Sequence, residues 1–252
     1  MTLRSYISQT KWILHVPVVD SANASELAQA LSVPVVASII LKDHPETEWV
    51  VEQTREMLDL DGLFVSLALG DGDPQQWSRV LSVALETSPD HINQLYPTAG
   101  HAAGALRARG LKETVVNALI QPAGRGYVSI STGPFSAAGE KAVVPSRAAL
   151  QLFKDAGVDS VKYYPMHGLG ALDEFQEVVR LAAEEEILAV EPSGGIDASN
   201  VVEVIQAGCG DAVYSVHIAP HVFGAVRHKE SKRTQPDRVA SICQTIMSNI
   251  AL

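Results

Sequence analysis

The feature that most constrains this chain is a period. Short runs rich in β-branched and aliphatic residues alternate with amphipathic stretches from one end to the other. The runs fall at 12–18, 34–41, 63–69, 92–96, 114–120, 160–164, 188–191 and 212–218. Helices are expected at 22–31, 45–59, 75–86, 99–109, 146–156, 171–185, 198–207 and 236–250, several of them opening on a Pro or an Asp or Ser cap. Strands that are nearly continuous in Val, Ile, Leu and Ala are covered on both faces, as in a parallel sheet. Eight such repeats fit a closed barrel better than an open doubly wound sheet, which leaves edges to protect. The 252 residues match the length of one barrel, and no linker-like shift in composition divides them. The pattern therefore predicts an α/β fold, a single-domain (β/α)8 TIM barrel over residues 1–252.

One segment breaks the rhythm. Residues 121–145 separate the fifth strand from its helix, with a short hairpin expected over 127–131. Connections longer than about 12–15 residues are uncommon and often functional. In a barrel this one leaves the C-terminal end of a strand, where active sites are built. A lid and an oligomer contact are both open readings.

Charge excludes some partners. Nineteen Lys and Arg against 29 Asp and Glu give a net charge of −10, a poor basis for holding nucleic acid or an anionic membrane. No run approaches the roughly 20 apolar residues that span a bilayer. The run at 12–19 is interrupted by His15 and Pro17 and is no signal-peptide core. Cys209 and Cys243 are too few for a disulfide framework and lack metal-ligand spacing. A cytoplasmic enzyme is expected, and a homo-oligomer, as is frequent among barrels.

Polar residues inside apolar strands are the informative ones, because a buried charge is costly unless paired or used. Lys162 sits in Val161-Lys162-Tyr163-Tyr164-Pro165. Desolvation favours its neutral amine, the form that attacks a carbonyl to make an imine. A lysine that snorkels out or pairs with a carboxylate is the alternative. Glu191 ends the next strand, and alternation puts Ala189, Glu191 and Ser193 on one face. It is therefore expected near Lys162, as an ion-pair partner or as the general acid/base. Ser193-Gly194-Gly195 follows, ahead of a helix, and such a turn can bring backbone N–H groups to a phosphate. Asn117, inside the fifth strand, can meet a substrate oxygen or satisfy a buried backbone group. His221, with His217 and His167, lacks any local two-ligand pattern, so these are read as ordinary polar residues and no metal is expected. Asp71 and Asp73 read as turn formers rather than Mg²⁺ ligands. Arg227, His228, Lys229, Lys232 and Arg233 read as a solvated loop.

Val161-Lys162-Tyr163-Tyr164-Pro165 followed by Glu191-Pro192-Ser193-Gly194-Gly195-Ile196-Asp197 resembles elements of 2-keto-3-deoxy-6-phosphogluconate (KDPG) aldolases. The likeness is closer to a branch associated with D-glucosaminate breakdown, with further matching stretches at 70–77, 91–97, 116–119, 130–134, 166–169 and 220–222. It covers residues 60 to 240. The resemblance implies a class I aldolase, free of cofactor and metal, that cleaves KDPG to pyruvate and glyceraldehyde 3-phosphate. Lys162 would form the Schiff base, and Ser193, Gly194 and Gly195 would hold the phosphate, with Asn117 and His221 as further substrate contacts. The better-known members carry a proton-transfer glutamate on an early strand and an arginine for the substrate carboxylate; neither is present here. Glu191 takes the first role on geometric grounds, and Lys42 and Arg125 are candidates for the second. The alternatives are a metal-dependent 2-keto acid aldolase or phosphosugar epimerase on the same barrel, and a non-catalytic phosphosugar-binding protein.

Overall fold

Residues 1–131, 141–167, 170–209 and 216–250 are described by the computed structural model. The strands are β1 (His15–Val18), β2 (Val35–Ile40), β3 (Leu63–Ala68), β4 (His91–Leu95), β5 (Val115–Pro122), β6 (Tyr127–Ser129), β7 (Val143–Pro145), β8 (Ser160–Tyr163), β9 (Ala189–Pro192) and β10 (His217–Ile218). The helices are α1 (Leu3–Ile7), α2 (Ser21–Ala30), α3 (Thr47–Leu58), α4 (Trp77–Thr87), α5 (Tyr96–Ala108), α6 (Ser146–Asp155), α7 (Ala171–Glu184), α8 (Val201–Cys209), α9 (Phe223–Val226) and α10 (Pro236–Met247).

Eight strands run parallel in the order β1-β2-β3-β4-β5-β8-β9-β10. Backbone bonds join the two ends of that order: Ile218 N–H donates to Lys11 O at 3.0 Å and His15 N–H to Pro220 O at 2.9 Å. The fold is the expected single-domain (β/α)8 barrel.

Three local features depart from the sequence expectation. A short helix, α1, precedes the first strand and packs Leu3, Tyr6 and Ile7 against Val36, Phe64, Val115 and Ala189, plugging the N-terminal end of the barrel. In the segment after β5, β6 pairs antiparallel on one side with β5, Gln121 opposite Ser129, and on the other with β7, Val128 opposite Val144, rather than forming a hairpin confined to 127–131; residues 132–140 of that segment lie outside the described residues. Helix α8 opens at Val201 rather than at 198. Asp197 Oδ1 accepts from Ser199 N–H at 2.8 Å, and Asn200 Oδ1 accepts from Asp197 N–H at 3.0 Å. These side chains offer the backbone local bonds that compete with the helix. Of the eighth expected strand, 212–215 lie outside the described residues, as do 132–134, 168 and 169 of the family-like stretches.

The barrel interior is unusual. Its lowest layer is apolar, but the inward positions above it include His15, Ser38, Ser66, His91, Asn117, Ser160 and Glu191, all buried, where barrels ordinarily place Val, Ile and Leu. β4 and β9 are three strands apart in the sheet, yet His91 and Glu191 are hydrogen-bonded, so both point across the interior.

Candidate active site

The interior layer is organised around one carboxylate. Glu191 Oε1 accepts from His91 Nε2 at 3.0 Å and from Ser160 Oγ at 2.5 Å, and its Oε2 accepts from His221 Nε2 at 2.9 Å. Each histidine then carries its proton on Nε2, which leaves Nδ1 as an acceptor. On His91 that acceptor meets Ser66 Oγ at 2.8 Å; on His221 it meets Lys162 Nζ at 3.3 Å. Burial by itself raises the Glu191 carboxyl, but the facing His91 and His15 and the bonds from His221 and His91 outweigh it and hold the group well below the ordinary carboxylate range. Burial drives the histidines the other way, His15 far down and His221 to about 3, helped in the latter by the Lys162 charge. The layer is an ionised carboxylate held by three hydrogen-bond donors, two imidazoles and a hydroxyl.

Lys162 sits on the rim of this layer. It lies beside Glu191 in the β8–β9 register, and its ammonium reaches His221 Nδ1 rather than the carboxylate, with the Phe223 ring centroid 5.5 Å away. Burial lowers its pKa to about 8 against the opposing pull of Glu191 and Asp71. At pH 7 roughly a tenth of such an amine is neutral, against about one part in 3,000 for an ordinary lysine.

A cavity of about 560 Å³ opens above it. Lys162, His221, Asn93 and Phe223 line it together with Ser193, Gly194 and Gly195, and Lys42, Arg227 and Lys232 stand among its charged residues. The two glycines have φ of +81° and +80°. A Cβ on Gly194 would lie 2.8 Å from Tyr164 Cε2, and one on Gly195 3.0 Å from the Met166 carbonyl. Met166 N–H donates to Ser193 O and Gly194 O at 2.8 and 3.1 Å, which ties the turn to the chain that follows Lys162.

Sequence-derived candidates divide between this cavity and elsewhere. Glu191 lies beneath His221, both its oxygens engaged, and does not line the cavity wall. Asn117 also lies below, its Nδ2 3.4 Å from Ser160 Oγ. Lys42 lines the cavity and pairs with Asp71 at 3.2 Å, whereas Arg125 stands outside, 95% exposed beside Glu177. Asp73 Oδ1 accepts from Gln75 N–H, as a turn former does. Arg227 and Lys232, expected in a solvated loop, share Asp43 on the cavity wall, and Arg233 pairs with Glu26.

His217 donates to the Thr10 carbonyl and His167 is exposed, so these two do not join His221. A different set, His15, Glu191 and His221, brings ligand atoms within 4.8 Å of one another. The His15 and His221 rings, however, stack at 4.2 Å with planes 19° apart. Their in-plane lone pairs run nearly parallel and do not converge on one ion at the roughly 2.0–2.1 Å a zinc–imidazole bond requires. Within the set, Glu191 and His221 are hydrogen-bonded and His15 contributes ring stacking, its Nδ1 without a partner among the described residues.

Sequence reasoning missed His15, His91, Ser66, Ser160 and Asn93. Their signal was polar residues at every second position of a strand, as at His91 and Asn93.

A parallel barrel carrying a half-buried amine at its mouth, backed by a histidine and a carboxylate, has the parts of a carbon–carbon lyase. The chain belongs to the KDGP aldolase family, whose model matches residues 8–230, and is an aldolase. A 2-dehydro-3-deoxy-phosphogluconate aldolase of Salmonella typhimurium (strain 14028s / SGSC 2262) is 32% identical over 229 residues, covering 90% of this chain and 91% of the relative. Among solved structures, a putative fructose-1,6-biphosphate aldolase from Coccidioides immitis superposes with a TM-score of 0.65 at 12% identity, covering 98% of this chain and 95% of the other. Thiamine phosphate pyrophosphorylase from Pyrococcus furiosus gives 0.60 at 14% identity, covering 97% and 100%. At these identities the last two speak for the fold alone. Among the described residues no helix is long and apolar enough to cross a membrane.

Proposed function

We propose that this aldolase works through a Schiff base on Lys162 and cleaves 2-keto-3-deoxy-6-phosphogluconate to pyruvate and glyceraldehyde 3-phosphate. The observation that carries the reading is the Lys162 amine, lowered to about 8 and 3.3 Å from His221 Nδ1 in the cavity. The neutral amine adds to the C2 ketone, and loss of water gives a protonated imine. That imine accepts the electrons of the C3–C4 bond as it breaks, while the C4 hydroxyl loses its proton and the aldehyde departs. The remaining enamine is protonated at C3, and hydrolysis of the imine returns pyruvate and the free lysine.

His221 is the proton carrier in this reading, because its Nδ1 faces the amine while Nε2–H is fixed by Glu191. Glu191 is thereby a positioning residue rather than the direct acid/base. Ser193, Gly194 and Gly195 hold the phosphate, supported by the positive φ of both glycines and the space a side chain would fill. The Salmonella relative's name supports a phosphorylated 2-keto-3-deoxy acid as substrate. A cytoplasmic homo-oligomer belongs to the same reading.

The test is pyruvate release from KDPG in a lactate dehydrogenase-coupled assay, with and without chelator. The reading expects chelator-insensitive release that Lys162→Arg abolishes. Release that chelator stops, or that Lys162→Arg retains, contradicts it and favours the metal-dependent alternative; binding without release favours a non-catalytic protein.

A further inference from the structure

Within the cavity wall Asn93 is buried, 3% exposed, and neither its Nδ2 nor its Oδ1 has a hydrogen-bond partner among the described residues. Its neighbour Gln94 also borders the cavity, but that amide is engaged: Nε2 donates to the Trp77 carbonyl and Oε1 accepts from Thr98 Oγ1. Around the cavity wall Ile40 and Ala68 precede Asn93 and Leu119 follows before Lys162, all three apolar, while the β4–β5 register sets Asn117 beside Asn93 below the wall. A buried carboxamide is normally satisfied, because leaving both its halves dry is costly. Asn93 is thus a donor and an acceptor held ready against the cavity.

The chemistry of the two orphaned atoms limits what answers them. A carboxylate, a phosphate or a carbonyl offers acceptors alone, which satisfy Nδ2 and leave Oδ1 unmet. A hydroxyl meets both, accepting from Nδ2–H and donating to Oδ1. We infer that Asn93 is a specificity-determining residue that binds a hydroxyl on the aldehyde half of the substrate, beyond the bond that breaks. The inference rests on the Schiff-base reading, since it divides the cavity into an imine end at Lys162 and a hydroxyl end at Asn93. Sites that hydrogen-bond a hydroxyl discriminate strongly against analogues lacking it, because the protein groups are then left unpaired.

The test compares two reactions in the same variant. Asn93→Leu removes both polar atoms at similar volume. It is expected to lower kcat/KM for KDPG at least 100-fold. Trapping of pyruvate by borohydride on Lys162, and exchange of pyruvate methyl protons in D₂O, are expected to stay within threefold of the unsubstituted protein, since pyruvate has no hydroxyl. Asn93→Ser keeps a donor and an acceptor and is expected to lose less. If Asn93→Leu does not fold, the same comparison in Asn93→Ser decides, with cleavage reduced more than exchange. Unaltered cleavage, or pyruvate exchange that falls in step with cleavage, overturns the assignment. An unsubstituted protein that never traps pyruvate overturns the imine reading itself, which is a different failure from an intact adduct with indifferent Asn93 variants.

Discussion

The residue on which the proposed chemistry rests is a half-buried lysine, Lys162, set next to His221 and above Glu191. Lys162 was legible in the sequence because a lysine inside Val161-Lys162-Tyr163-Tyr164 is conspicuous among apolar neighbours. Its surroundings were only half legible. Glu191 was visible as the polar end of a strand, but its partners His91 and Ser160 arrive from strands 100 and 31 residues away. No local pattern encodes a contact made across a barrel interior. The network predicts a specific effect for Glu191→Gln. A carboxamide cannot accept from His91 and His221 through both of its ends, so one imidazole must change tautomer. If His221 does, a proton replaces the lone pair that faces Lys162. We expect kcat to fall on the order of 10²–10³-fold, as for a lost general acid/base, with KM little changed, measured by steady-state kinetics on KDPG. The amine itself predicts the pH dependence of imine formation. Because only the neutral form adds, the trapping rate at subsaturating pyruvate should rise about tenfold per pH unit below pH 8 and level off above it.

At the scale of elements, the loop that follows β9 and the helix behind it show where local pattern succeeds and where it stops. The Gly-Gly turn was evident, and its backbone explains it: both residues lie in the left-handed region, and a side chain on either meets Tyr164 or the Met166 carbonyl. The start of α8 was misplaced by three residues because Asp197 and Asn200 bond to neighbouring backbone before the helix begins. Helix α1 escaped notice for a different reason. Five residues are too few for a period to register, and the helix is held by its contact with the barrel floor rather than by propensity. The turn yields a prediction. Gly195→Ala places a Cβ 3.0 Å from a backbone oxygen that cannot swing aside, and left-handed backbone adds on the order of 1–2 kcal/mol. The urea midpoint should drop by an amount corresponding to about 2 kcal/mol. KM for the phosphorylated substrate should rise while pyruvate trapping at Lys162 persists. Equal loss of both reactions would place the turn's role at the imine end instead.

For the whole molecule, the alternation of strands and helices was enough to give the barrel, and the reason is physical. Each strand–helix repeat buries its own apolar faces, and the number of repeats brings the edges together. What alternation does not reveal is the polar interior, which couples folding to pH. Burial keeps His15 far below its ordinary value, His217 at about 4 and His221 at about 3. An unfolded chain takes up protons at these positions below about pH 6.5 while the folded one does not, so stability falls as pH falls through that value. Each histidine contributes about 1.4 kcal/mol per pH unit once the unfolded state is protonated. The three together give a slope on the order of 4 kcal/mol per unit, and Glu191, held low in the fold, adds to the loss below its ordinary value of 4.5. Urea unfolding at pH 7.5, 6 and 5 checks this: a flat stability profile would mean that the histidines are charged in the fold.

The central claim concerns one amine. Incubation with pyruvate and borohydride, followed by peptide mass spectrometry, tests it most directly. The account predicts a reduced pyruvyl adduct on the peptide that carries Lys162 and its loss in Lys162→Arg. An unmodified protein, or an adduct confined to another lysine such as Lys42 on the cavity wall, contradicts it.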